Sequence, residues 1–170
     1  ARAKMLDALR AVGNPSSIHA QGRAARSLVE GAREKIAALV GGRARNVVFT
    51  SGATEALNLA LSPHWRGPHG APARLLLPAT EHVAALGGHG FGAEAEILPV
   101  DSTGVLDLAA LDAALARASG PVLLCLQAAN NETGVLQPIA AAAEKAHAAG
   151  GLVACDAVQA AGRIPCTFET

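Results

Sequence analysis

The sequence predicts an α/β protein, with a parallel sheet covered by helices on both faces in three layers. Short, nearly continuous apolar runs of strand length recur along it, segments of helical periodicity separate them, and polar residues follow the runs. A strand with no polar alternation is one buried on both faces, which is what a helix-covered parallel sheet demands.

Met5, Leu6, Leu9 and Val12 recur at helical spacing ahead of Gly13-Asn14-Pro15, which stops that helix. From Gln21 onward, Leu28, Ala32, Ile36 and Leu39 mark one face of a long helix that Gly41-Gly42 ends. Strands are expected at Asn46 to Thr50, Arg74 to Leu77, Glu96 to Val100, Pro121 to Gln127 and Leu152 to Cys155. Two further helices are expected between them. Asp107 to Ala118 has Asp107 as N-cap and Leu108, Leu111 and Leu115 on one face, and Pro138 to Ala149 opens on proline. Ser62 to Ala73, rich in Pro, Gly and His, reads as a surface loop, and Gly87 to Gly92 as a flexible connection. Residues 1–170 together read as one domain with one core. The missing initial Met and the stop at Thr170 suggest that both ends are cut.

Composition narrows the function. Lys plus Arg and Asp plus Glu both number 14, so no excess positive charge is available for a phosphate backbone or an anionic membrane. Aromatic residues make up 2% and Tyr is absent, which removes the stacking platforms of a single-strand binder. Nucleic acid and membrane are therefore not expected partners, and a cytoplasmic setting is expected. Cys125, Cys155 and Cys166 have no paired spacing, which speaks against a disulfide framework and a Cys-x-x-Cys metal site. The histidines form no metal-binding pattern either, so no metal is expected.

Open α/β sheets bind ligands at the carboxyl ends of their strands, so the polar residues there are the candidates. Thr50-Ser51-Gly52-Ala53-Thr54-Glu55 could present backbone N–H groups to a phosphate at a helix start, or could be a turn with an ordinary cap. His82, in Thr80-Glu81-His82, could stack on a ring and move protons, although a lone His is more often structural. Asn130-Asn131-Glu132-Thr133-Gly134 could orient a planar ring or a carboxylate, or simply close a turn on Gly134. Asp156, in Cys155-Asp156-Ala157-Val158-Gln159, follows an apolar strand. A carboxylate there needs a cationic partner such as a pyridinium nitrogen, or else serves as a helix cap.

Taken in order, Asn14-Pro15-Ser16-Ser17-Ile18-His19, Gly22-Arg23, Phe49 to Glu55, Thr80-Glu81-His82, Asn130 to Val135 and Asp156-Ala157-Val158-Gln159 resemble the blocks of the cysteine desulfurases. These are pyridoxal-phosphate enzymes of the class V aminotransferase group. The resemblance implies the large cofactor-binding domain of fold type I enzymes, incomplete here, with pyridoxal 5'-phosphate as cofactor and a homodimer as assembly. It implies L-cysteine as substrate, L-alanine and an enzyme persulfide as products, and a sulfur-acceptor or scaffold protein for iron-sulfur cluster assembly as partner. Ala53 and Thr54 would hold the phosphate, and His82, the one catalytic assignment, would stack on the ring and help move protons. Asp156 would pair with the ring nitrogen, Gln159 would bond the ring hydroxyl side, and Asn131 would lie beside ring and substrate.

The departures from the family pattern are as informative. The family's Ser-x-His-Lys block with its Schiff-base Lys, and its later catalytic Cys, are not in these residues, so this stretch alone is expected to be inactive. Lys4, Lys35 and Lys145 fall on helical segments, and Cys125 and Cys155 fall inside apolar strands. A selenocysteine lyase, another class V enzyme, or a non-catalytic remnant acting as a partner domain remain alternatives.

Overall fold

The computed structural model describes residues 2–168, so Ala1, Glu169 and Thr170 lie outside it. The chain packs as two units. One holds the run up to Phe49 together with residues from Ile164, and the other is Thr50–Arg163.

In the first unit, α1 (Arg2–Leu9) buries no residue, and α2 (Ala20–Leu39) buries Gly22 and Ala37. The imidazole of His19 caps α2, Nδ1 accepting from the Gly22 N–H at 3.2 Å. The Asn14 side chain accepts from the Ser16 N–H at 2.9 Å, turning the chain toward the helix, and Arg23 donates to the Ile18 carbonyl. Gly22 is required by proximity, because a Cβ there would lie 2.3 Å from the Ser17 carbonyl oxygen and 2.8 Å from that of Asn14. Both obstacles are backbone. Gly22→Ala is therefore expected to destabilise this unit by about 2 kcal/mol, read as a loss of α2 helicity at a lower denaturant midpoint.

The strand expected at Asn46 to Thr50 does not form. Ala44–Asn46 is a 3₁₀ turn, and the chain beyond it is extended but unpaired, with Val48 69% exposed and Phe49 46% exposed. A strand needs a neighbour for its carbonyls. Here the carbonyl of Val47 is taken by the Arg33 guanidinium, which also lies 4.9 Å from the centroid of the Phe49 ring.

The second unit holds the expected sheet. β1 (Arg74–Pro78), β2 (Ala95–Leu98), β3 (Val122–Gln127) and β4 (Leu152–Asp156) are all parallel, in the order β2-β1-β3-β4. Successive side chains of a strand point to opposite faces, and the two cores follow that alternation. Leu75 and Leu77 of β1 and Leu123 and Cys125 of β3 pack with Leu57 and Leu61, Ala84 and Ala85, and Phe91. This layer is α3 (Ala53–Ala60) and α4 (Val83–Gly87). On the opposite face, Leu76, Val122, Leu124 and Leu126 pack against Leu111, Ala114, Ala142 and Ala146. That layer is α5 (Leu108–Arg117) and α6 (Ile139–Ala148), completing the three layers expected.

Local signals explain the helix ends. Asp107 caps α5 as expected, accepting from the Ala109 and Ala110 N–H groups at 2.8 and 3.1 Å. Lys145 of α6 meets Asp112 of α5 at 2.7 Å, and Glu96 joins Arg74 and Arg117 at 2.9 and 2.7 Å. Among the described residues no helix is long and apolar enough to cross a membrane.

Candidate functional site at the carboxyl ends of the strands

Where β1, β3 and β4 end, the chain leaves a cavity of about 140 Å³. Every residue proposed from the sequence lines it: Ala53, Thr54, His82, Asn131, Asp156 and Gln159. A larger cavity, about 530 Å³, lies at the opposite ends of the strands beside His69, Gly120, His147 and Gly150. Size favours the second, but chemistry favours the first. Parallel sheets bind ligands at their carboxyl ends, and only the smaller cavity gathers a carboxylate, an imidazole and amides around one space.

Each wall has a local cause. Gly52 leads into α3, and the first N–H groups of that helix, at Ala53 and Thr54, have no acceptor within the helix. Ser51 is already engaged. Its N–H and hydroxyl donate to Glu55 Oε2 at 2.7 and 2.6 Å, which holds the Glu55 carboxyl below its ordinary range. Ala53 and Thr54, with their N–H groups free of intrahelical acceptors, stand on the cavity wall.

His82 caps α4, its Nδ1 accepting from the Ala84 N–H at 3.1 Å. The acceptor role at Nδ1 puts the proton of the neutral ring on Nε2. His82 is exposed, so its ring is open to a ligand. The capping contact uses one ring nitrogen and does not engage the other.

The Asn-rich turn divides its labour. Asn130 closes it, with Oδ1 accepting from the Glu132 and Thr133 N–H groups at 2.9 and 2.8 Å and Nδ2 donating to the Thr80 carbonyl at 3.1 Å. Gly134 completes the turn at a φ of 74°, in the left-handed region that favours glycine. Asn131 is left to line the cavity. Asn130→Ala is accordingly expected to raise hydrogen exchange at Glu132 and Thr133 about tenfold, the loss of roughly one well-made hydrogen bond.

Asp156 ends β4 half-buried. Its Oδ1 accepts from the Val158 N–H at 2.9 Å, and no Lys or Arg forms an ion pair with it among the described residues. Arg163 is spent nearby, donating to the carbonyls of Val158 and Gln159 at 3.1 Å each. A half-buried carboxylate without a cation fits a protonated ring nitrogen, and the pyridoxal phosphate expected from the sequence supplies one. The remaining lining fits the same group, with helical N–H donors for a phosphate and an open imidazole for a ring.

Two residues of the site were not among those assigned from the sequence. Gln127 is 2% exposed, lines the cavity, and donates from Nε2 to the Thr80 carbonyl at 2.5 Å. Glu81, 5% exposed, lies behind it, with Oε1 accepting from the Gln127 N–H at 2.7 Å. The signal that could have found Gln127 is a polar residue with a long side chain at the end of an otherwise apolar strand, where it must be satisfied internally. Burial pushes the Glu81 carboxyl up to about 7, against the Gln127 N–H and with the help of the Asp156 charge. Cys125, fully buried, has its thiol pushed far above the ordinary range by burial and then by Glu81, which makes it a core residue and not a nucleophile. Among the described residues no cluster of metal-binding side chains occurs.

The aminotransferase class-V family model matches residues 3–170. The chain is 40% identical over 170 residues to a cysteine desulfurase of Frankia sp. (strain EuIK1), across 92% of this chain and 40% of that protein. It is 43% identical over 162 residues to the cysteine desulfurase IscS of Anaeromyxobacter sp. (strain Fw109-5), with the same coverage. It thus spans about two fifths of the length of these curated relatives. Among solved structures it superimposes on a NifS-like protein from Rickettsia africae ESF-5 with a TM-score of 0.87 at 29% identity, covering 98% of this chain and 46% of that one. The family match runs through the cavity and both layers around it, and the chain belongs to the aminotransferase class-V family.

Proposed function

We propose that this chain is the cofactor-holding part of a pyridoxal-phosphate-dependent cysteine desulfurase, within the large domain of that enzyme. The observation that carries the reading is Asp156, a half-buried carboxylate with no Lys or Arg ion-paired to it among the described residues, on a cavity whose other walls offer helical N–H groups and an imidazole. Pyridoxal phosphate, when bound, supplies an electron sink for the pair of electrons released at the substrate's α-carbon.

The chain's own residues do the rest. The N–H groups at Ala53 and Thr54 would bind the phosphate at the start of α3, where the helix dipole favours an anion. The Asp156 carboxylate would keep a proton on the ring nitrogen, its Oδ1 fixed by the Val158 N–H. His82, held by its Nδ1, would present Nε2–H to the ring and substrate side and hold or move a proton there. Gln159 would donate to the ring hydroxyl and Asn131 would orient the ring and a substrate carboxylate. None of Lys4, Lys35 and Lys145 lines the cavity, so none of them is proposed as a covalent anchor.

The substrate proposed is L-cysteine, with L-alanine as product and the sulfur passed through an enzyme persulfide to an acceptor or scaffold protein. A cytoplasmic homodimer is proposed with it. Two relatives whose names carry this activity support the reading. The test is to supply the full gene product with pyridoxal phosphate and L-cysteine. Alanine and sulfide in equal amounts are expected in the presence of a thiol reductant. Release from L-selenocysteine alone would point to a selenocysteine lyase, and no product from either would sink the enzyme reading.

A further inference from the structure

Glu81 is a buried carboxyl that the cofactor reading leaves without a role. It lies three residues past the end of β1, beside His82 in the chain. Its Oε1 accepts from the Gln127 N–H at 2.7 Å, and its Oε2 lies 3.8 Å from Cys125 Sγ. Gln127 in turn is the register partner of Asp156 across β3 and β4, lines the cavity, and holds the Thr80 carbonyl through Nε2. One buried carboxyl thereby ties together the ends of the strands that form the site. The ionisable groups around it are Cys125 from β3, Asp156 from β4 and His82 next in the chain, and no cation is among the groups acting on it.

We propose that Glu81 is a positioning residue of the cofactor site that exchanges its proton in step with the charge at Asp156. While the Asp156 charge stands uncompensated, Glu81 keeps its proton. When a cation compensates Asp156, the proton leaves to solvent and both oxygens become acceptors, strengthening the hold on the Gln127 N–H at the end of β3. Burial and the Asp156 charge both hold the proton on the Glu81 carboxyl, and the hydrogen bonds from Gln127 and Cys125 oppose them. The identity of the compensating cation rests on the cofactor reading above, whereas the coupling of the Glu81 proton to the Asp156 charge does not.

The experiment is a pH titration of the chain carrying carbon-13 in its Glu and Asp side-chain carboxyls, followed by NMR, for the wild type, Asp156→Asn and Glu81→Gln. A Glu resonance with its midpoint near neutral pH is expected in the wild type and is expected to vanish in Glu81→Gln. Asp156→Asn, which keeps the acceptor for the Val158 N–H, is expected to move that midpoint down by about one pH unit. Reciprocally, the Asp156 carboxyl resonance of the wild type is expected to move as Glu81 titrates, and Glu81→Gln is expected to remove that movement. This measurement decides the matter even where Asp156→Asn folds poorly. A Glu81 midpoint in the ordinary carboxylate range, or an Asp156 resonance blind to Glu81→Gln, overturns the proposal. Pyridoxal phosphate added to the wild type is expected to lower the Glu81 midpoint as well. Coupled carboxyls that ignore added pyridoxal phosphate would uphold the proton exchange while removing the cofactor reading.

Discussion

Exchanging Asp156 for asparagine is expected to weaken pyridoxal phosphate binding to this chain by about two orders of magnitude, the worth of a well-placed hydrogen-bonded charge pair. The substitution is chosen to isolate charge. Asparagine keeps an oxygen for the Val158 N–H, which Asp156 Oδ1 accepts at 2.9 Å, so the turn after β4 is expected to hold. What disappears is the negative charge facing the cavity, in a half-buried position where water screens it poorly. A neutral amide cannot favour the protonated ring nitrogen, and affinity falls accordingly. A fluorescence titration of both proteins with pyridoxal phosphate measures it. Equal affinities would mean that the ring nitrogen is not at Asp156.

Stability is expected to fall as pH rises toward neutrality, by about 3 kcal/mol from Glu81 alone. The carboxyl lies at about 7 in the fold against 4.5 for the free group, so the folded chain holds this proton more tightly than the unfolded chain does. A group raised on folding contributes fully below its unfolded value, and the contribution is lost as pH climbs through the folded one. The window is therefore roughly pH 4.5 to 7. Glu55 and Asp101 act at the acid end with the opposite sign, because hydrogen bonds hold both below their ordinary values. Urea unfolding followed from pH 5 to 8 is expected to show the decline in the wild type. Glu81→Gln, which mimics the protonated group in shape, is expected to flatten it and to be the more stable protein at pH 8. A parallel decline in both would assign the slope elsewhere.

The sheet was legible because its central strands, β1 and β3, are buried on both faces. In β3, every residue from Val122 to Gln127 is buried, and such a run announces itself in sequence without any alternation. Asn46 to Thr50 has the same local look yet stays unpaired, since pairing is decided by a neighbouring backbone and not by the run itself. The site residues were legible for a topological reason. Each follows an apolar run or opens the next helix, and a parallel sheet gathers all such ends on one side. Gln127 left a local mark as the polar end of an apolar strand, but its pairing with Glu81, 46 residues away in the chain, is a contact that no local pattern reports.

Residue-resolved binding decides where the cofactor sits. Adding pyridoxal phosphate to the nitrogen-15-labelled chain is predicted to shift the amide signals of Ala53, Thr54, His82, Asn131, Asp156 and Gln159 together, with one saturation curve. Shifts clustered instead around His69, His147 and Gly150 at the opposite ends of the strands, or no shifts at all, would contradict a cofactor site anchored on Asp156.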